Sequence, residues 1–313
     1  MALDPDLLID RRRLKRSRGL WRGAAIVALI ALVAAFAVPA TLPTRQSVLA
    51  VGRNPVVRLT VQGTITDDRD VIRAVDAAGR NPAIRAMILS VDSPGGTVAG
   101  GEALHAALTR FRDSGKSLVA VMGGTAASAA YMISMPAERI FARDSTITGS
   151  IGVLMQSFNV EGLLNTVGVR ADTLTSGPLK AQPNPFGPTS EAGRQVLQGV
   201  IDDIYGRFVA MVAEGRNMPE ARVRELADGR VYTGHQALAL NLVDAIGGER
   251  EARAWLREKY NIPTRPEARE IDTTGDRPWW RSIVTGAKSL VSEGLAEMGV
   301  VDGVVALWQP GLR

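Results

Sequence analysis

Residues 84–112 read IRAMILSVDSPGGTVAGGEALHAALTRFR. Ile84–Val91 is an apolar run of strand length. Asp92-Ser-Pro-Gly-Gly96 follows as a strand-to-helix turn, and from Thr97 to Arg112 the apolar residues (Ala103, Leu104, Ala107, Leu108) recur at helical spacing. The same alternation extends in both directions. Upstream, Val56–Val61 reads as a strand and Asp70–Arg80 as a helix; downstream, Leu118–Met122 reads as a strand. Strands alternating with helices predict an α/β domain whose parallel strands lie under helices.

Beyond the third strand, Glu138–Ala142, Ile151–Met155 and Val169–Leu174 read as short strands, and Val160–Val167 as a helix. Thr175–Pro188 holds four prolines and two glycines, so it reads as an irregular loop, a segment more often functional than filler. Thr189-Ser190-Glu191 is a helix start, with the helix running to about Gly215. Further helices are expected over Pro219–Ala227, Gly234–Leu240 and Glu249–Tyr260. After Pro263 the chain turns polar, passes Trp279-Trp280 and becomes weakly amphipathic, which reads as a separate tail.

Charge is distributed unevenly. The formal net charge is +5, and residues 1–22 alone hold seven Arg or Lys against three Asp. The remainder is close to neutral and offers no basic patch for nucleic acid. Gly23–Ala40 is uncharged, and its 18 residues are near the minimum for crossing a hydrocarbon core of about 30 Å. With basic residues kept inside, this predicts a single-pass anchor, a cytoplasmic head and an exported domain. A cleaved signal peptide is the rival reading. The chain has no cysteine, which excludes disulfides, thiol nucleophiles and thiolate metal sites; no metal or organic cofactor is indicated.

The chemistry-bearing residues are few. Ser128 lies in Gly123-Gly-Thr-Ala-Ala-Ser-Ala-Ala-Tyr131, where small neighbours let a substrate backbone approach. Taken alone, the signal is weak, and a serine among alanines is a helix start or a packing residue. The paired Gly95 and Gly96 offer backbone N–H groups of the kind an oxyanion needs, or form an ordinary tight turn. Of only two histidines, His105 falls on a helix otherwise lined with Ala and Leu, and His235 reads as solvent-facing. Lys180, in Ser176-Gly-Pro-Leu-Lys-Ala181, is the only Lys or Arg between Arg170 and Arg194. A lysine serves as a base when burial lowers its pKa from about 10.4 towards neutrality; otherwise it is a solvated loop residue.

Three segments occur in order: Asp92-Ser-Pro-Gly-Gly96, the TAASAAYMI stretch around Ser128, and Thr148-Gly-Ser-Ile-Gly-Val153. With Asp228-Gly-Arg-Val-Tyr-Thr-Gly234 and Leu242-Val-Asp244 they resemble the signal peptide peptidase family (SppA type) over about residues 54–250. The resemblance implies a membrane-bound serine endopeptidase with a Ser/Lys dyad on a ClpP/crotonase-like α/β fold of repeated β-β-α units, preceded by one transmembrane helix. It implies Ser128 as nucleophile, Lys180 as general base, Ser150 as the hydroxyl that orients the lysine, and Gly95 and Gly96 as the oxyanion turn. Ala129 and Ala130 stand where many members have glycine, a departure that helical geometry there would tolerate. A ClpP-type histidine would fall at Val153 and is absent. The implied partners are peptide substrates, chiefly remnant signal peptides, inner-membrane lipid, and further copies of the chain in a homo-oligomeric ring with the dyad shared between subunits. The implied place is the bacterial inner membrane, with the catalytic domain periplasmic.

The expected organisation is therefore a head over residues 1–22, an anchor over 23–40, a linker over 41–53, a protease domain over 54–260 and a tail over 261–313. The alternatives are a Ser/Lys membrane protease that cuts one specific membrane protein, and an inactive membrane-anchored scaffold. Crotonase-like acyl-CoA chemistry is disfavoured for an exported domain.

Overall fold

The computed structural model describes residues 55–273 and 305–307, all within one compact unit. The expected head, anchor and linker, and Trp279-Trp280, lie outside the described residues. Among the described helices none is long and apolar enough to cross a membrane.

Three strand-helix pairs open the fold: β1 (Val56–Ile65) with α1 (Arg69–Arg80), β2 (Ala86–Thr97) with α2 (Val98–Asp113), and β3 (Ser117–Ala127) with α3 (Ala129–Met132). Then follow β4 (Arg139–Ala142), β5 (Ile147–Gly149), α4 (Glu161–Thr166), the long α5 (Glu191–Arg216), α6 (Glu220–Leu226), β6 (Val231–Thr233), α7 (Gly234–Ala239), β7 (Ala245–Ile246), α8 (Glu249–Tyr260), β8 (Arg269–Glu270) and β9 (Val305–Leu307). The helix starts have chemical causes. Asp68 caps α1 by accepting from the N–H groups of Asp70 and Val71, Thr97 caps α2, and Ser190 caps α5 by accepting from Gly193.

The strands form one mixed sheet in the order β6-β5-β3-β2-β1-β8, with β4 also on β3, β7 on β4 and β9 on β2. β1, β2 and β3 pair in parallel, and β2 alternates strictly. Met87, Leu89 and Val91 enter one core with Leu104, Leu108, Phe111 and Tyr131, while Ala86 and Ile88 face a second core with Leu256 of α8. Covering both faces explains why the sequence there is an unbroken apolar run.

Each long strand has two legs. The β1–β2 register shifts between Gln62 and Thr64, and the β2–β3 register between Val91 and Ser93. β3 forks: Val119–Val121 pair with β4, whereas Thr125–Ala127 pair with β5. The second leg of β2 carries Gly95 and Gly96, and that of β3 leads to Ser128.

Four expectations need correction. The sheet is mixed and not wholly parallel, because β5–β6 and β2–β9 run antiparallel. Asp92–Gly96 is a bulged continuation of β2, not a turn that ends it. The strand expected over Ile151–Met155 lies instead at Ile147–Gly149, because Gly149 (φ 79°) and Ser150 (φ 49°) leave the extended region and stop it there. Val169–Leu174 is irregular and Leu174 is 93% exposed; an extended segment with no neighbouring strand gains no ladder.

Candidate active site

β3 ends on Ser128. Its backbone sits at φ 58°, ψ −121°, a conformation that costs a non-glycine residue about 1–3 kcal/mol and is held only by its surroundings. Those surroundings are explicit. Ser128 N–H donates to the Gly149 carbonyl at 2.8 Å, and the Ser128 carbonyl accepts from Met132 N–H at 2.9 Å. The side chain is 1% exposed, yet its Oγ has no hydrogen-bond partner. A buried hydroxyl left unpaired is costly, so such a group in a native fold calls for an explanation.

The second leg of β2 runs beside this point, since Ser93 pairs with Ala126, two residues before Ser128. Gly95 has φ 115°, a region that side chains rarely adopt, and a Cβ on Gly96 would fall 2.0 Å from the Ile65 carbonyl oxygen. Both positions therefore require glycine. The Gly95 N–H donates to Ser93 Oγ at 3.1 Å and is engaged within the protein. Ser93, buried and not singled out by the sequence, thus shapes this bend.

Ser150 follows the Gly149 carbonyl that holds Ser128, and its own N–H donates to the Arg230 carbonyl at 2.8 Å. Ser150 lines a cleft of about 720 Å³ with Val153, Met155, Tyr205 and Asp228. The Asp228–Gly234 motif supports this corner: β6 pairs antiparallel with β5, and Tyr232 Oη–H donates to the Leu226 carbonyl. Bonds from Arg230 to Asp228 hold the exposed Asp228 carboxyl down at about 2. The Leu242–Asp244 motif supports the other side. The Leu242 carbonyl accepts from the fully buried Tyr131 Oη–H at 2.8 Å; Asp244 accepts from Ile140 N–H and from both arms of the Arg216 guanidinium. Burial, the largest influence, pushes the Tyr131 hydroxyl's pKa well up, so it remains a donor.

The structure thus gathers Ser128, Ser150 and the Gly95–Gly96 strand. Lys180 is not with them. It lies exposed in a turn closed by its N–H to the Gly177 carbonyl, and its ammonium makes no hydrogen bond or ion pair among the described residues. Since Ser128 Oγ has no partner, the two side chains do not meet within one chain. The segment around Lys180 is exposed and apolar, including Phe158, Leu163 at 66%, Val167, Leu174, Leu179 and Phe186. Neither histidine bonds Ser128. Burial, aided by Arg112 and opposed by Glu214, lowers the pKa of His105 in α2, and His235 is exposed beside Asp144.

Tyr131, Ser93 and Asp92, whose carboxylate accepts from Thr125 N–H at 2.9 Å, are supports that single-sequence reading passed over. Their signal was present only as polar residues inside otherwise apolar or small-residue runs.

Residues 110–263 match the model of peptidase family S49. The chain is 36% identical over 255 residues to a "Putative protease" of Synechocystis sp., covering 80% of this chain and 90% of that one. It is 33% identical over 267 residues to the "Putative signal peptide peptidase SppA" of Enterococcus faecium, covering 81% and 76%. A ClpP1 variant from Listeria monocytogenes aligns with a TM-score of 0.41 at 15% identity, covering 66% of this chain and 96% of that one. By its sequence relationships the chain belongs to peptidase family S49 and is a serine protease of the signal peptide peptidase type.

Proposed function

We propose that Ser128 is the nucleophile and Lys180 the general base of a membrane-anchored endopeptidase that degrades remnant signal peptides and other hydrophobic peptides. The observation that carries this reading is the buried, unpartnered Ser128 Oγ on a strained backbone at the end of β3. A neutral Lys180 takes the hydroxyl proton as Oγ attacks the scissile carbonyl. The lysine then gives that proton to the leaving amine, and the resulting acyl-enzyme is hydrolysed by a water that the same lysine deprotonates. Ser150, held one residue beyond the Gly149 carbonyl that fixes Ser128, orients the lysine. At the glycine strand, Gly96 N–H serves the oxyanion, because Gly95 N–H is already engaged by Ser93.

Lys180 reaches Ser128 from a neighbouring copy. The exposed apolar segment from Phe158 to Phe186 supports this, since covering it with a second subunit would bury the loop and favour the neutral amine. A homo-oligomeric ring with dyads shared between subunits satisfies every site equivalently. The two-legged strands fit a ClpP/crotonase-like fold of β-β-α units. Gly23–Ala40 anchors the domain on the periplasmic face of a bacterial inner membrane, where its substrates reside.

Purified Ser128→Ala and Lys180→Ala proteins should each lose hydrolysis of a hydrophobic peptide. Equal activity in the wild type and both variants would sink the dyad assignment, and absence of hydrolysis from the wild type itself would favour the inactive scaffold. Offering signal peptides and folded membrane proteins in parallel separates the broad peptidase from one that cuts a single membrane protein.

A further inference from the structure

β2 and β3 run in step from Ala86↔Ser117 to Val91↔Met122 and meet again at Ser93↔Ala126. Between those last two pairs β2 supplies Asp92 alone, whereas β3 supplies Gly123, Gly124 and Thr125. β3 therefore bulges over Asp92, and backbone groups that leave the ladder there need other partners. Side chains provide them. Asp92 Oδ1 accepts from Thr125 N–H at 2.9 Å, Thr146 Oγ1–H donates to the Gly123 carbonyl at 2.7 Å, and Thr148 Oγ1–H donates to the Ala126 carbonyl at 2.8 Å. Asp92 fits the bulge closely, since a Cβ on Gly123 would lie 3.0 Å from its Cβ and Cγ. The next residue, Ser93, is fully buried. Its Oγ accepts from Gly95 N–H at 3.1 Å and donates to the Gly95 carbonyl at 3.3 Å.

We propose that Asp92 and Ser93 are positioning residues for attack by Ser128: the first fixes the strand that carries the nucleophile, the second the peptide that faces the oxyanion. This rests on the assignments of Ser128 as nucleophile and of Gly96 N–H as oxyanion donor. Thr125 lies three residues before Ser128, so the Asp92 carboxylate holds the leg that delivers the strained serine, a conformation its surroundings have to enforce. Ser93 acts on the other half. The Gly95 carbonyl and the Gly96 N–H belong to one trans peptide and point in opposite directions. By holding the carbonyl, the Ser93 hydroxyl aims the N–H away from itself, and by holding Gly95 N–H it keeps that residue at its φ of 115°. Two adjacent residues thus set both halves of the site from one point of β2. Neither exchanges a proton or a bond in the reaction; their contribution is distance and direction. A displacement of about 1 Å between reacting groups costs about 10²-fold in rate, so the effect falls on kcat.

Asp92→Ala, Asp92→Asn and Ser93→Ala in the full chain test this. Asp92→Ala and Ser93→Ala should each lower kcat for a hydrophobic peptide by about 10- to 100-fold, with KM within about two-fold of wild type. A peptide aldehyde, whose adduct with a serine mimics the tetrahedral intermediate, should bind more weakly by the same factor. Asp92→Asn should keep the wild-type kcat, because its carboxamide oxygen still accepts from Thr125 N–H. Unchanged kcat in both alanine variants, a rise in KM in place of the fall in kcat, or equal losses in Asp92→Asn and Asp92→Ala would overturn the proposal. Asp92 is exposed, so its two variants keep the test decisive should Ser93→Ala fail to fold. Amide hydrogen exchange reads the tie without catalysis: Thr125 N–H should exchange faster in Asp92→Ala and at the wild-type rate in Asp92→Asn. Unchanged exchange in Asp92→Ala refutes the positioning role even if Ser128→Ala is inactive. Retained hydrolysis by Ser128→Ala refutes the nucleophile even if the exchange responds.

Discussion

The segment from Ala86 to Ser150 and the segment from Leu154 to Val200 are built on opposite principles. In the first, Met87, Leu89, Met122, Ala127 and Tyr131 are fully buried, and Ser128, Gly95 and Ser150 are each held by hydrogen bonds or close backbone contact. In the second, Leu163, Val167, Val169, Leu174 and Phe186 face solvent around an unpartnered Lys180. One region is completed by its own core. The other carries apolar surface and Lys180, which meets no partner of its own among the described residues. On the proposed reading, the contrast means that half of the machinery is preorganised by folding and that the other half is finished by assembly.

The largest effects should come from the chemistry. Ser128→Ala and Lys180→Ala should each lower kcat by about 10³-fold or more with Tm unchanged, since the first leaves the strand intact and the second removes an exposed side chain. A large drop in Tm for Lys180→Ala would break the comparison, because it would make the loop a structural part of the core.

Next come the supports of the buried half. Gly96→Ala should destabilise by about 3 kcal/mol and abolish activity, given the clash with the Ile65 carbonyl. Asp244→Ala should cost about 3 kcal/mol in denaturant unfolding, since it strands the buried Arg216 guanidinium and the Ile140 N–H. Loss of either effect would mean that the buried half is less rigidly determined than its contacts imply.

Leu163→Ser with Val167→Ser sharpens the other half. Stability of the isolated subunit should change by no more than about 0.5 kcal/mol, while sedimentation should show weakened assembly and activity should fall with it. Full assembly and activity would remove the reason for that apolar surface.

The smallest effect concerns His105. Its folded pKa lies below its ordinary value, chiefly through burial, so the unfolded chain binds the proton more readily. Its contribution is complete above about pH 6.5 and is lost as the pH falls through the unfolded and then the folded pKa. His105→Gln should flatten this acid-side decline in Tm; an unaltered profile would assign the decline to carboxylates.

Much of the strand-and-helix frame was legible in the sequence. Long apolar runs covered on both faces, the helix starts at Thr97 and Ser190 and the paired glycines all announce themselves locally, and helices α1, α2, α5 and α8 fall where periodicity places them. What escaped depends on distant partners. The bulged second legs of β1 and β2 look like turns until their neighbours are known. β5 and β6 are each three residues long and exist because β5 pairs with distant β3 on one side and with β6 on the other. Val169–Leu174 has the composition of a strand but no strand beside it. Ser128 and Ser150 could be named, yet their positive φ angles and shared contact through Gly149 could not. Nor could a single sequence show that Lys180 would stand away from Ser128.

The central claim is a dyad completed between copies of the chain, and co-assembly of two inactive variants tests it most directly. Ser128→Ala and Lys180→Ala subunits, unfolded or expressed together in equal amounts, should form mixed assemblies. In them about a quarter of sites receive an intact serine from one subunit and an intact lysine from the next. Titration with a serine-reactive fluorophosphonate should recover about that fraction of wild-type sites, with matching peptidase activity. Mixed assemblies with no active sites would contradict the account and place both residues of each working dyad in one chain.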